Sequence, residues 1–404
     1  INGGTVKGIT VDGGVCTIND GTIQNAYDES GVSVNGGVCT ITGGTIQNNK
    51  NENGNGGGVY VDGGTCTISG GSITNNTAQN GGGVYVAGGE CIINGAMNVA
   101  ANITNNTAQN GNGGGVYVAG GKCTVDGYAE VTDNTASYGG GVYVASGATC
   151  WLREHSGIRS NNANADGGGV YVKENSEFVV YSTVTENTAG SDGGGVYLAG
   201  PAADGLYYRM DDAAISRNQA TGSGGGICAG ENVRIAMNSG YFRSNTASNG
   251  GGVYLSSGGE LGINAQFREN SATGDGGGIW ATVDCEIYLN SSNNFRGLLS
   301  GNTAARGGGM FVAGEQWLVE FNGTQVDSDN DLVFWGNGEN SILKIGRGGA
   351  FESTISGNIQ ATNVNVTMDK GTVRSSSVTL TNAKWLIYGG YCSISKITTD
   401  GQQK

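Results

Sequence analysis

The chain has one histidine, His155, and one proline, Pro201, in 404 residues, so it holds little of the side-chain chemistry that nucleophilic or general acid–base catalysis at neutral pH draws on. It has no apolar run of about 18 residues, which argues against a membrane-spanning helix in this sequence. Positive charge is scarce, with 20 Lys and Arg against 34 Asp and Glu and a net charge of −14. That balance repels phosphate backbones and anionic lipid, so nucleic acid is not an expected partner. Proline is too rare, and the glycines lack the three-residue period, for the 79 glycines to indicate collagen.

The glycines instead mark a repeat. Gly56-Gly57-Gly58-Val59-Tyr60-Val61 recurs in close copies beginning at Gly81, Gly113, Gly139, Gly167, Gly193, Gly224, Gly250, Gly276 and Gly307, at spacings of 25 to 32 residues. An elastic period of this size is that of a solenoid whose loops vary around a fixed cross-section. Within the unit from Gly56, Val59-Tyr60-Val61, Cys66-Thr67-Ile68 and Ser72-Ile73-Thr74 read as three short strands separated by Asp62-Gly63-Gly64 and Ser69-Gly70-Gly71. Strands this short require pairing with their equivalents in the next coil, which predicts an all-β, parallel β-helix. No strict hexapeptide period is present, so the right-handed form with three unequal strands per coil is expected.

Gly8 to Ile18 and Gly31 to Ile41 are shorter coils of the same design. The expected layout is one body over residues 1–404, with short coils over 1–45, ten regular coils over 46–312 and divergent coils over 313–404. Trp385 to Ile394 matches the register of Val59 to Ile68, so the helix is expected to run almost to Lys404. Roughly 15 or 16 coils at strand spacing would make a rod about 70 to 75 Å long. Neither end shows a cap, which points to a segment of something longer or to end-to-end stacking.

Three ladders follow from the repeat. Asn49, Asn76, Asn106, Asn134, Asn161, Asn187, Asn218, Asn245, Asn270 and Asn302 each stand three residues after an aliphatic or Phe residue, and are expected to hydrogen-bond along the stack and to the turn backbone. Cys16, Cys39, Cys66, Cys91, Cys123, Cys150, Cys285 and Cys392 each precede an aliphatic residue by two, which predicts inward thiols; buried free thiols and occasional inter-coil disulfides both remain open. One strand face offers no tetrahedral metal cluster. Tyr60, Tyr85, Tyr117, Tyr143, Tyr171, Tyr197, Tyr254, Trp280 and Phe311 alternate with aliphatics and so should face out as a stacked aromatic stripe, the one candidate binding surface. Cys228 takes a Tyr position and should face out with them.

Catalytic candidates are few. His155 sits in a loop position without a flagged nucleophile. Asp211 and Asp212, near Arg209 and Arg217, are the best carboxylate pair for sugar cleavage, but adjacent strand residues point to opposite faces. Asp166 and Asp192 occupy equivalent turn positions that hold Asn at 55, 80, 112 and 249, where turn propensity accounts for them. No catalytic residue, metal site or cofactor is expected.

The sequence Phe242-Arg243-Ser244-Asn245, followed by Gly250-Gly251-Gly252-Val253-Tyr254, resembles the repeats of chlamydial polymorphic outer membrane proteins. It is also similar to the wider group of right-handed β-helix repeat proteins on bacterial surfaces. The resemblance covers roughly residues 46 to 312, and it implies an extracellular or cell-surface bacterial stalk, passenger or fibre component used in adhesion. Expected partners are a glycan or host-surface ligand and further copies of the chain. The alternatives are a carbohydrate-active or glycan-binding β-helix protein and a filament subunit joined through uncapped ends.

Overall fold

A three-residue strand gains almost nothing alone, and in the computed structural model each one is sandwiched between its own equivalents. The structure describes residues 1–399 apart from Asn293, Gly349 and Ala350, so the last five residues of the expected helix lie outside the described residues. The chain divides into two compact units, Ile1–Gly205 and Leu206–Lys404. Each is a parallel β-solenoid.

In the first unit the Val-Tyr-Val strands Ile9–Val11, Val32–Val34, Val59–Val61, Val84–Val86, Val116–Val118, Val142–Val144, Val170–Val172 and Val196–Leu198 pair in parallel and in strict register. This is the tyrosine face. The strands that carry Cys-Thr-Ile stack as a second, cysteine face. A third, isoleucine face has eight strands in this unit, from Asn2–Val6 to Thr183–Thr185. A fourth element was not expected: Thr77–Asn80 and its equivalents Thr107–Ala108, Thr135–Ala136, Asn162–Ala163 and Thr188–Ala189 form a short parallel ladder at the corner after each asparagine. Its alanines, such as Ala78 and Ala189, point inward and are fully buried.

The second unit repeats the plan, with eight strands on its isoleucine face from Ala213–Ser216 to Gly390–Cys392. Beyond Val312 the turn between the tyrosine and cysteine faces is absorbed into long strands, Leu332–Gly348 and Ile359–Met368, which carry both faces and pair with shifts in register. The core there becomes aromatic, with Trp317, Phe321 and Phe334 fully buried.

Period-two alternation decides what is inside. Val59, Val61, Cys66, Ile68 and Ile73 are all at most 1% exposed, while Tyr60 and Thr67 between them are partly exposed. The glycines set how closely coils approach. Gly64 has φ +72°, and a Cβ there would lie 2.3 Å from the Gly37 carbonyl oxygen of the preceding coil. In the triplet, a Cβ on Gly57 would lie 2.5 Å from the Gly82 oxygen, and one on Gly58 2.5 Å from Ile73 Cγ2. Only glycine fits these positions without moving backbone.

Two alignments at the cysteine face are corrected by the structure. Ile287, not Cys285, pairs with Leu261 and Val319. The turn before it is one residue longer than Asp62-Gly63-Gly64, so Cys285 falls at the corner ahead of the strand. Trp385 pairs with Val366 on the cysteine face, and Cys392 pairs with Val373 on the isoleucine face. The stretch from Trp385 to Ile394 is therefore one strand out from the expected match. Gly-Gly marks two different corners of the coil, and Gly389-Gly390 is the second.

Candidate binding face and its supporting ladders

The asparagine ladder is the most complete polar network in each unit. Asn134 is fully buried. Its Oδ1 accepts from the backbone N–H of Asn106 at 2.9 Å and from Asn106 Nδ2 at 3.1 Å. Its Nδ2 donates to Asn161 Oδ1 at 3.0 Å and to the Ile103 carbonyl at 2.9 Å. Asn76, Asn106 and Asn161 repeat this four-bond pattern along the first unit, while Asn49 accepts from the Ala26 N–H and donates to Asn76 Oδ1 and the Ile23 carbonyl, and Asn187 accepts from Asn161 and donates to the Ile158 carbonyl. In the second unit Asn218, Asn245, Asn270 and Asn302 form the equivalent stack, which continues to Asn330. Asn330 was missed because it stands four residues after Val326 instead of three. The residue just before each ladder Asn from Asn49 to Asn302 is held at positive φ, as at Asn75, Asp133, Ser160, Glu186, Arg217 and Glu269. The turn so formed aims the amide inward, and its side-chain bonds balance the strain of a non-glycine residue in that region.

A second amide and carboxylate ladder caps the loops before the glycine triplets. Asn80 Oδ1 accepts from the Asn112 N–H, Asp166 Oδ1 from the Asp192 N–H and Asn249 Oδ1 from the Asp275 N–H, each at 3.0 Å. Asp166 and Asp192 thus act as turn caps between coils. Burial pushes the Asp166 carboxyl up from its ordinary value.

On the tyrosine face the rings stack as the alternation predicts. In the first unit Tyr60, Tyr85, Tyr117, Tyr143, Tyr171 and Tyr197 run ring to ring, with centroid separations of 4.8 to 5.5 Å and interplanar angles of 20° or less. In the second unit Tyr254 stacks on Trp280 at 4.4 Å and Trp280 on Phe311 at 6.4 Å. The stripe is less open than expected. Most rings are half-buried, while Tyr143 and Phe311 are buried, at 5% and 2% exposure. Arg306, in ion pair with Asp275, lies over Phe311 and Trp335. Burial pushes the Tyr171 hydroxyl up to about 12. Cys228 does share register with Tyr254, but it is buried at 5% exposure, so a thiol at this position does not reach the surface that the longer Tyr side chains form.

All nine cysteines are free thiols. Six of them, Cys16 to Cys150, lie in one registered column on the cysteine face. Interaction with the neighbouring thiol of the column, and then burial, pushes Cys39, Cys91 and Cys150 up.

The carboxylate pair is held apart in separate structural roles. Asp211 is buried, accepts from the Arg209 guanidinium at 3.0 Å and from the Asn238 N–H at 2.8 Å. Asp212 instead accepts from the Ser239 hydroxyl. His155 stacks on Tyr128, centroids 5.3 Å apart, at a corner where Arg153, Glu154, Asp126 and Tyr181 line an open cavity. The signal for this enlarged corner was in the sequence, where Leu152-Arg153-Glu154-His155-Ser156 replaces the compact Ser-Gly-Gly of earlier coils. Among the described residues no group of three or more His, Cys, Asp or Glu is placed to hold a metal ion, and no helix is long and apolar enough to cross a membrane.

These features define a parallel β-solenoid repeat protein built on amide, thiol and aromatic ladders. Residues 264–282 match the model of the Chlamydia polymorphic membrane protein repeat, so the repeat of this chain is similar to that family's. No curated protein and no solved structure matches the chain.

Proposed function

We propose that this chain is a bacterial outer-surface protein whose solenoid presents a binding face in adhesion, and that it has no catalytic activity. The observation that carries this reading is the aromatic stack of the tyrosine face. A solenoid core needs only the inward residues, yet the outward position keeps an aromatic ring in coil after coil of the first unit, from Tyr60 to Tyr197. A long apolar stripe with hydroxyl edges suits a repeating, extended ligand such as a surface polysaccharide. The match of residues 264–282 to a membrane-protein repeat supports the surface location. The engaged, divergent roles of Asp211 and Asp212 do not favour the sugar-cleaving alternative.

The test is retention of the purified chain on a panel of immobilised polysaccharides and on host-cell monolayers, for the native sequence and for Tyr85→Ser and Tyr171→Ser. The reading expects binding that falls at least tenfold in the variants, with circular dichroism unchanged. Cleavage of a polysaccharide, or binding indifferent to both substitutions, would overturn it.

A further inference from the structure

The six-thiol column of the first unit is unusual chemistry for a core, because aliphatic side chains would fill the same space. Cys39, Cys66, Cys91, Cys123 and Cys150 are fully buried and Cys16, at the start of the column, is partly exposed. Each is the registered partner of the next on adjacent parallel strands.

Three fates of such a column can be separated by geometry. In a registered parallel pair both Cα–Cβ bonds point the same way, so the Cβ atoms stay about 4.8 Å apart, as the strands do. A disulfide needs Cβ atoms about 3.5 to 4.5 Å apart, so bridging would have to pull the coils together. A tetrahedral ion such as Zn(II) needs three or four convergent ligands, and the column offers sulfurs only in a line. A straight pair of sulfurs one strand spacing apart does suit an ion that takes two thiolates at 180°, since two metal–sulfur bonds of about 2.3 Å span roughly 4.6 Å.

Charge then selects among linear ions. The core around the column is aliphatic: Ile41, Ile68, Ile93, Val125 and Leu152 stand two residues along from the thiols, all at most 2% exposed. A buried site of this kind tolerates a neutral adduct far better than a charged one. A soft divalent cation displaces one proton from each of two thiols. Two S–H bonds break, two metal–sulfur bonds form, no electrons are transferred, and the S–M–S unit is neutral, with both protons released to water. A monovalent soft cation bound in the same way leaves one negative charge.

We propose that the cysteine column of the first unit is a linear dithiolate site for soft divalent cations, typified by mercuric ion, with one ion held between the thiols of each pair of successive coils. Pairing Cys16 with Cys39, Cys66 with Cys91 and Cys123 with Cys150 gives three ions. This site is independent of the binding face proposed above.

The full chain is loaded separately with mercuric, silver and zinc salts in the presence of excess competing monothiol, which removes ions held by a single sulfur. Retained metal is counted after gel filtration, and sulfur coordination number is read by X-ray absorption. The site predicts about three retained mercuric ions per chain with two sulfurs each, weaker retention of silver, no zinc, and a raised melting temperature. Cys66→Ala leaves only two successive pairs and lowers the count to two, and Cys66→Ala with Cys123→Ala lowers it to one. Cys66→Ser, closer in volume, repeats the count if the alanine variant does not fold. No retained mercury, equal counts in native and variant chains, coordination by three or four sulfurs, or loss of the β signal on loading would each overturn the proposal.

Discussion

Replacing Asn134 by Ala removes one rung from the middle of the first unit's ladder and leaves two buried donors without partners. The N–H and one Nδ2 hydrogen of Asn106 lose their acceptor, and the Ile103 carbonyl loses its side-chain donor. Asn161 Oδ1 keeps the backbone N–H of residue 134. At about 1 to 3 kcal/mol for each orphaned buried donor, the loss comes to at least about 2 kcal/mol. Asn53, exposed in the strand Lys50–Asn55, is the control, with an expected change for Asn53→Ala within about 0.5 kcal/mol. Asn134→Asp separates acceptor from donor. It restores the acceptor for Asn106 but sets carboxylate oxygens against the Ile103 carbonyl and Asn161 Oδ1. A buried carboxyl so placed has a folded pKa above its unfolded value near 3.9, so the stability of this variant is greatest below that pH and falls as pH rises through the folded pKa. The alanine defect has no such dependence. Urea unfolding at several pH values, with hydrogen exchange of the Asn106 amide as a local probe, tests both. A loss for Asn134→Ala below about 1 kcal/mol at unchanged m would refute the claim that the ladder amides are stabilised by one another.

Three further outcomes follow. Gly14 and Gly64 share φ +72°, but a Cβ on Gly14 meets nothing within 4 Å while one on Gly64 lies 2.3 Å from the Gly37 oxygen. Gly14→Ala should therefore cost only the conformational strain of about 1 kcal/mol, and Gly64→Ala clearly more, compared by thermal melts. Tyr117→Ala removes stacking on both Tyr85, at 4.9 Å, and Tyr143, at 4.8 Å, and should cost about 1 to 3 kcal/mol beyond the area lost, measurable by a double-mutant cycle with Tyr143→Ala. Tyr171 keeps its proton to about 12 when folded, against 10.0 for an unperturbed tyrosine. Its contribution is complete below pH 10 and is lost as pH rises towards 12, so the urea midpoint should fall over that window, with tyrosinate absorbance appearing late in the folded chain.

What could be read from the sequence divides along a physical line. Inward positions were legible because period-two alternation and repetition reinforce each other, so Val59, Ile68, Ile73 and Asn76 needed only one coil's reading to be placed in every regular coil. Corners were less legible. A turn is specified by backbone conformation, and glycine supplies that conformation at either corner, so Gly389-Gly390 fits two registers equally well by composition. The choice between them rests on which face the following residues bury: Cys392 pairs with Val373 and its sulfur lies 3.4 Å from Met368 Sδ, an inward contact that local pattern cannot contain. The same reasoning explains Cys285, where one added turn residue shifts a thiol from strand to corner while leaving its spacing to Ile287 unchanged. It also explains the unexpected fourth strand, since Thr77-Ala78 is too short to show a period and is recognisable only through its pairing with Thr107-Ala108. In a solenoid, then, a residue's face is written locally, whereas its rung is fixed by the coil beneath it. That is why the aromatic stripe could be found from sequence, while its burial at Tyr143 and Phe311 could not.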